Sequence, residues 1–239
     1  MRGCDKFCTF CIVPFTRGRE RSRPLDSIVN EVKKAVDMGF IEITLLGQNV
    51  NSYNHNNILF PKLIDSVAKI SGVKRIRYTS PHPQDIDEEL LFVMRDNHNI
   101  CNSVHLPLQA GSNKILNKMN RTYTKEKFMI LSDKIRNILS NSSITTDIIV
   151  GFPGESEKDF NETLDVMNYV KFDSAFTFKY SSRPGTKAAE FDNHISEKVK
   201  RERLSRLVEL QQQHTLYRNK LEIGKKVNVL VEKNSKKSK

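Results

Sequence analysis

The feature that most limits the fold of this chain is a regular alternation of short apolar runs with segments of helical period. After a first helix over residues 25–40, a strand followed by a helix recurs five times from Ile41 onward. This order predicts an α/β protein with a parallel sheet and helical crossovers, closed or partly closed as a barrel. The predicted strands lie at 41–49, 74–83, 103–112, 143–155 and 174–186, the last helix at 196–221 and a final strand at 225–233.

Polar side chains follow each of the five barrel strands. In such folds, ligands gather at the C-terminal ends of the strands. A polar residue at one strand end is usually a turn former or a helix cap, but polar groups at five ends together predict a shared site. The residues concerned are Gln48 and Asn49, Ser80 and His82, Gln109 and Ser112, Asp147 and Gly151, and Ser181 and Arg183.

The composition is that of a folded protein with a strong positive charge. Hydrophobic residues make up 38% and charged residues 28%, and the formal net charge is +11. The charge favours an anionic partner such as nucleic acid, although a bias toward Lys and Asn would also produce it. No apolar run is long enough for a membrane span, and no signal peptide is recognisable. We therefore expect a cytoplasmic protein whose thiols are free or metal-bound.

Three of the four cysteines, Cys4, Cys8 and Cys11, stand within eight positions of each other. A disulfide is disfavoured in a reducing compartment, and a structural zinc site usually has four ligands. An iron–sulfur cluster is favoured, because three thiolates on a four-iron cube leave one iron open for chemistry. Zinc remains the alternative from spacing alone. Cys101 has no partner at metal-binding spacing and is expected to be a small core residue.

The segment around these cysteines, with the aromatic Phe10 before the last of them, resembles the signature of radical S-adenosylmethionine (SAM) enzymes. The wider run "RGCDKFCTFCIVPFTRGRERSRP" is similar to the methylthiotransferase family, and within it to the tRNA enzymes that convert N6-isopentenyladenosine next to the anticodon to its 2-methylthio form. The tripeptide "GQN" favours these over relatives that modify a ribosomal protein. Further similar segments are "LLGQNVNSY", "RIRYTSPHP", "HLPLQAGSNKIL", "TTDIIVGFPGE", "FDSAFTFKYSSRPGT" and "RLSRLVELQQQ".

The resemblance implies a six-stranded open β/α barrel in which Cys4, Cys8 and Cys11 hold a [4Fe-4S] cluster. SAM would bind the fourth iron. One electron, from a reductant such as flavodoxin or ferredoxin, would start radical chemistry that adds a methylthio group to C2 of the adenine. Ordinary packing is the alternative role for Phe10, and a structural role is the alternative for His82. The residues that would bind SAM and substrate are Phe10, Gln48, Ser80, His82, Gln109 and Asp147.

An arginine run follows the cysteines, with Arg17, Arg19, Arg21 and Arg23 at every second position. In an extended chain these four side chains would point to one side and contact phosphates of a tRNA anticodon stem-loop beside the site. A solvated loop, or ion pairs that shape the site, are the alternatives. Further along, Glu155 is expected to serve the N-terminus of the following helix.

The chain departs from the family pattern at both ends. Family members carry an upstream domain with three more cysteines for a second [4Fe-4S] cluster, and these cysteines are absent here. We expect a radical SAM domain over 1–222 with a truncated first strand, and over 223–239 the incomplete start of a TRAM-like RNA-binding β-domain. Such a chain is expected to be a monomer that binds a cluster and cleaves SAM without completing methylthiolation alone. The alternatives are a methylthiotransferase for threonylcarbamoyl-adenosine and a non-catalytic, metal-containing RNA-binding protein.

Overall fold

The strands form two small parallel sheets and one hairpin in a computed structural model that describes residues 1–231. β1 pairs with β4, β6 lies between β5 and β7, and β2 and β3 form the antiparallel hairpin. A parallel bridge between Ile76 and Ile100 links β4 to the segment before β5. Five parallel strands therefore follow one another, and the described sheets stay open. The strands are β1 Glu42–Leu45, β2 Asn54–His55, β3 Ile58–Leu59, β4 Arg75–Tyr78, β5 Ser103–His105, β6 Ser143–Val150 and β7 Ser174–Lys179.

Four of the eight described α-helices begin at a side-chain cap. Asp87, Thr124, Ser156 and Ser196 each accept a hydrogen bond from a backbone N–H in the first turn of the next helix. Short 3-10 helices occupy Val50–Ser52, Pro83–Asp85 and Lys187–Glu190. The α-helices are α1 Val13–Arg17, α2 Leu25–Asp37, α3 Phe60–Ala68, α4 Glu88–Asp96, α5 Asn113–Lys118, α6 Lys125–Ile138, α7 Glu157–Val170 and α8 Glu197–Lys220.

The two faces of the larger sheet have different surroundings. Along β6, side chains alternate between fully buried and partly exposed, as they must when only one face is covered. The buried positions join the core beneath the helices, and α8 packs on β7 and β6. The register sets Asp147 beside Phe176 and Ile149 beside Phe178. We call the partly exposed side the open face; its residues include Thr145, Asp147, Ile149, Phe176 and Phe178.

The predicted order of parallel strands and crossover helices is confirmed. The structure adds α1 and the β2–β3 hairpin, which the sequence did not predict, and it differs from the prediction at both ends. Residues 1–4 contribute only a bridge between Arg2 and Arg21, so the described chain has five parallel strands. The final strand expected at 225–233 is not formed over 225–231, where Val227 and Val229 are exposed. The rest of that segment lies outside the described residues. A single edge strand has nothing to cover its apolar face, which explains the missing pairing.

Among the described helices, none has both the length and the apolar character that crossing a membrane requires.

Candidate functional site

The three clustered cysteines line one cavity together with polar residues from four of the five strand ends. Its volume is about 200 Å³. All nine residues predicted to bind the cluster, SAM or substrate lie around it, which the sequence pattern alone did not show. They are Cys4, Cys8, Phe10, Cys11, Gln48, Ser80, His82, Gln109 and Asp147. The cavity is also lined by Lys6, Asn49, Pro81, His105, Pro107 and Arg121. Ser181 and Arg183, from the fifth strand end, line a neighbouring cavity, and Ser112 and Gly151 line neither.

The cysteines lie on a tight loop that turns back on itself. Phe7 has a left-handed backbone (φ 47°), and the Cys11 amide donates to the Cys8 carbonyl at 3.0 Å. All four cysteines carry free thiols, and Cys101 is not among the residues that line the cavity. Burial raises the pKa of both Cys4 and Cys11. These thiols therefore need a bound cation to become thiolates near neutral pH.

The loop that follows α5 supports the cysteine loop. The Thr9 hydroxyl donates to the Lys118 carbonyl at 2.8 Å, and the Thr9 amide donates to the Met119 carbonyl at 3.1 Å. The Asn120 side chain donates to the Phe7 carbonyl at 3.0 Å. Sequence reasoning missed this support, because the contacts join residues more than a hundred positions apart.

Gln48 contacts the cysteine loop through its side-chain oxygen Oε1, which accepts the Gly3 amide at 2.8 Å. Beside it, Lys6 forms an ion pair with Asp85 at 2.7 Å, and the Asn49 side-chain amide donates to Asp85 at 2.8 Å. The Asn49 side-chain oxygen is buried and has no hydrogen-bond partner among the described residues. The structure thus gives Gln48 a role in holding the cysteine loop and leaves an acceptor on Asn49 free for a ligand.

Ser80 and Gln109 both have left-handed backbones, with φ of 55° and 66°. Residues other than glycine adopt this conformation at a cost of about 1–2 kcal/mol, so it persists only where the surroundings hold it. At Gln109 the strand pairing holds it, because its amide donates to the Asp147 carbonyl at 2.8 Å and its carbonyl accepts from Ile149 at 2.9 Å. Such strain at two strand ends around one cavity is typical of a functional site.

His82 is buried and held on both sides. Its backbone amide donates to the Asn51 side chain at 2.8 Å, and its Nδ1 accepts the Gln84 amide at 3.3 Å. Burial lowers the pKa of His82 to about 2, and the charges of Arg121 and Lys6 act in the same direction. The ring is therefore neutral, and it presents one remaining N–H to its surroundings.

Asp147 lies on the open face and contacts His105 Nε2 at 3.2 Å. The other ring nitrogen of His105 lies 2.9 Å from the Thr145 hydroxyl. Phe176 meets the His105 ring edge to face, with centroids 6.0 Å apart. Sequence analysis did not single out His105, whose place on the sheet depends on the strand register.

A second cavity of about 410 Å³ adjoins the first. Phe10, Cys11, Gln109 and Asp147 line both, so the two spaces are contiguous. Phe178 lies on its wall and is 51% exposed, while its neighbour on the open face, Phe176, is 57% exposed. Exposed aromatic rings beside a cavity offer a stacking surface for a flat ligand.

The four arginines of the run are exposed but do not form one extended row. Arg17 ends α1, and Gly18 then turns the chain with φ 74°. Arg19 forms an ion pair with Asp5 at 2.7 Å, and Arg23 pairs with Glu31 at 2.5 Å. Arg21 pairs through its backbone with Arg2, as described above. The expected alignment on one side is wrong because the first of these arginines is helical, whereas their contact with RNA stays a prediction.

Glu155 is not a helix cap, because Ser156 caps α7 with Asp159 in a reciprocal capping box. Instead, Glu155 is buried, accepts the Gly151 amide at 2.7 Å and forms an ion pair with Arg203 of α8, also at 2.7 Å. It therefore fixes the turn after β6 and attaches the last helix to it.

The donor set of the first cavity fits a four-iron cluster. Among residues 1–231, no three His, Cys, Asp or Glu side chains converge to hold a single metal ion. Each thiolate binds one iron of a [4Fe-4S] cluster, so three thiols around one cavity would hold three irons and leave the fourth open for a ligand. The polar groups next to them, and the unpaired Asn49 oxygen, are suited to a ligand with amino and hydroxyl groups.

Comparison with known proteins agrees with this donor set. The Radical SAM superfamily model matches residues 1–167. The chain is 53% identical over 237 residues to the tRNA-2-methylthio-N(6)-dimethylallyladenosine synthase of Thermoanaerobacter sp. (strain X514), covering 98% of this chain and 50% of that protein. It is 51% identical to the synthase of the same name from Fusobacterium nucleatum subsp. nucleatum, covering 99% and 55%. The chain thus spans about half the length of the curated relatives it matches.

Two solved structures share the fold at low sequence identity. One is the radical S-adenosylmethionine methyltransferase TsrM from Kitasatospora setae, with a TM-score of 0.64 and 16% identity over 79% of this chain and 37% of that one. The other is the coproporphyrinogen III oxidase HemN from Escherichia coli, with a TM-score of 0.63 and 17% identity over 90% and 51%. The family model matches residues 1–167, and the cysteine loop and the open parallel sheets agree with it. The chain therefore belongs to the radical SAM superfamily.

Proposed function

We propose that this chain is the radical SAM catalytic part of a tRNA methylthiotransferase, which adds a methylthio group to C2 of N6-isopentenyladenosine next to the anticodon. The observation that carries the proposal is the cavity that the three cysteines share with polar residues from four strand ends. The names of the most similar relatives support this substrate and do not favour threonylcarbamoyl-adenosine or a non-catalytic role.

Cys4, Cys8 and Cys11 would hold the [4Fe-4S] cluster, and the polar side chains of the first cavity would bind SAM. When bound together, these groups would supply reductive cleavage of the sulfonium bond of SAM, with one electron from an external donor. The protein orients the ligands and excludes water. Asp147, which lines both cavities, would accept hydrogen bonds from ribose hydroxyls, and Phe178 would stack on the adenine of the RNA.

The proposed function also includes an RNA substrate, an electron donor, an oligomeric state and a location in the cell. The net charge of +11 supports an RNA substrate, with Arg17, Arg19, Arg21 and Arg23 as candidate phosphate contacts. A flavodoxin or ferredoxin as electron donor, a monomeric chain and a cytoplasmic location remain predictions. So does the inability of this chain to complete methylthiolation alone, since only Cys101 remains beyond the three clustered cysteines.

Anaerobic reconstitution with iron and sulfide tests the proposal. We expect a brown protein whose reduced form releases 5′-deoxyadenosine from SAM. We also expect this protein to bind an anticodon stem-loop that contains N6-isopentenyladenosine. Cys8→Ser should lose most of the iron, and the matched control Cys101→Ser should keep it, because Cys101 does not line the cavity. A colourless protein with stoichiometric zinc, or equal iron loss in both variants, contradicts the proposal.

A further inference from the structure

Arg121 is the side chain of the first cavity that points directly at a cysteine thiol. Its Nη1 donates to Cys8 Sγ at 3.3 Å, its Nε donates to the Tyr123 hydroxyl at 3.0 Å and its Nη2 donates to the Pro107 carbonyl at 3.3 Å. The guanidinium also lies 5.1 Å from the centre of the Tyr123 ring. Contacts from all three nitrogens fix the orientation of the group, so the donor aimed at the sulfur does not depend on a flexible side chain.

The charge of Arg121 has no carboxylate to balance it. No Asp or Glu in residues 1–231 forms an ion pair with its guanidinium, whereas the other cation of the same cavity, Lys6, is paired with Asp85. A cation that is partly withdrawn from water is unfavourable unless an anion lies nearby. The hydroxyl and the carbonyl that it contacts are neutral. The Cys8 sulfur is the one contacted group that becomes anionic when iron binds.

We propose that Arg121 is a positioning residue that holds the Cys8 side of the [4Fe-4S] cluster and raises its reduction potential. The inference rests on the proposed function. Hydrogen bonds to the ligating sulfur atoms and nearby charges set the potential of such clusters. A positive N–H donor stabilises the reduced cluster more than the oxidised one, because reduction adds a negative charge. Loss of this donor therefore lowers the potential and makes the electron needed for SAM cleavage harder to accept.

A purely structural role for Arg121 would use the same contacts with Tyr123 and Pro107, so the test needs a property that packing alone does not change. That property is the midpoint potential of the reconstituted cluster, measured by a redox titration followed by electron paramagnetic resonance. For Arg121→Met we expect about a tenfold lower ratio of reduced to oxidised cluster at a fixed potential, which is about 59 mV for a one-electron couple.

Arg183 provides the matched control, because it is an exposed cation on the neighbouring cavity and its charge also acts on Cys11. Arg183→Met removes the same charge from a solvated position and should change the ratio by less than about twofold, since water screens it. Equal shifts in the two Met variants, or an Arg121→Met ratio within twofold of the wild type with normal iron content, overturn the inference.

Two polar variants keep the test valid if Arg121→Met does not assemble a cluster. Arg121→Lys keeps the charge and Arg121→Gln removes it, while both keep an N–H donor. The ratio of reduced to oxidised cluster should be lower in the Gln variant than in the Lys variant, and equal ratios overturn the inference. A wild-type chain that binds no cluster overturns the proposed function as well, whereas a wild-type cluster that is insensitive to Arg121 overturns this inference alone.

Discussion

Replacement of Arg203 by Met should destabilise the fold far more than replacement of its neighbour on the same helix, Arg206. Arg203 donates to the Glu155 carboxylate at 2.7 Å and to the Glu155 carbonyl at 3.0 Å. The side chains of Arg203 and Glu155 are 6% and 2% exposed. Arg206 pairs with Glu157 at 2.5 Å, where both side chains are partly exposed, and Arg203 also contacts Glu157, at 3.4 Å. Both guanidinium groups lie over Phe160, at 5.6 and 4.7 Å, so the loss of that contact is common to the two variants.

The difference in burial between the two ion pairs sets the expected difference in unfolding free energy between the two variants. Removal of one partner from a buried ion pair leaves an uncompensated charge and costs about 3–5 kcal/mol. An exposed pair contributes only about 0–1 kcal/mol. We therefore expect the free energy of unfolding of Arg203→Met to fall by at least about 2 kcal/mol more than that of Arg206→Met. The Gly151 amide still donates to Glu155 in the variant, which places the expected loss toward the lower end of the range.

The loss should also depend on pH. Burial raises the pKa of Glu155 in the native protein, with the Gly151 amide and Arg203 acting in the opposite direction. Without Arg203 that pKa rises further, so a proton binds to the native state more readily than to the unfolded chain. The loss of unfolding free energy in Arg203→Met, relative to the wild type, is then largest at neutral pH. It becomes smaller as the pH falls through the raised pKa of Glu155.

Urea unfolding followed by circular dichroism at pH 7 and pH 5 measures both effects. Equal losses in Arg203→Met and Arg206→Met at pH 7 would refute the argument from burial. A loss in Arg203→Met that does not change between the two pH values would refute the assignment of an uncompensated Glu155 charge.

Three further changes test the site. Gly3→Ala should reduce iron incorporation, because Gly3 has φ 83° and an added Cβ would collide with the carbonyl of Arg19; Gly18→Ala shares the strain of a positive φ (74°) but meets no atom within 4 Å, so it should lose less iron. Phe178→Ala should weaken binding of an anticodon stem-loop by about 1–3 kcal/mol in fluorescence anisotropy, and an unchanged Kd would remove the ring from the RNA surface. His82→Gln should flatten the acid dependence of stability: with a native pKa of about 2, the neutral ring contributes fully above pH 6.5 and loses about 2 kcal/mol by pH 5. Parallel urea curves for the wild type and the Gln variant at pH 7 and pH 5 would contradict that expectation.

The sequence predicted the order of elements well because local signals mark them. The spacing of apolar residues placed the first helix at 25–40 and the last at 196–221, within a few residues of the observed bounds of α2 and α8. Residues 225–231, the described part of the predicted last strand, do not form a strand, since an apolar alternation predicts a strand only where another element covers it.

The candidate site was predicted in its residue types and only partly in its roles. Cys4, Cys8 and Cys11 were identified by spacing, and the parallel order of the strands implied that polar strand ends would lie together. Arg121 and His105 were missed, because their importance comes from contacts with Cys8 and Asp147 across the fold. Arg121 lies outside the segments that resemble the family, and His105 begins one of them, "HLPLQAGSNKIL", without a predicted role.

The sequence by itself determined the alternation of strands and helices, the three clustered thiols and the positive charge. The first two depend on residues that are near one another in the chain, and the net charge is the sum of the charged residues. The tertiary structure alone decided which side chains surround the cysteines. In the folded chain Gln48 accepts a hydrogen bond from the cysteine loop and Glu155 forms an ion pair with Arg203. The Arg121 guanidinium donates a hydrogen bond to Cys8. Those outcomes depend on strand register and on loops that meet from distant parts of the chain, which no local pattern records.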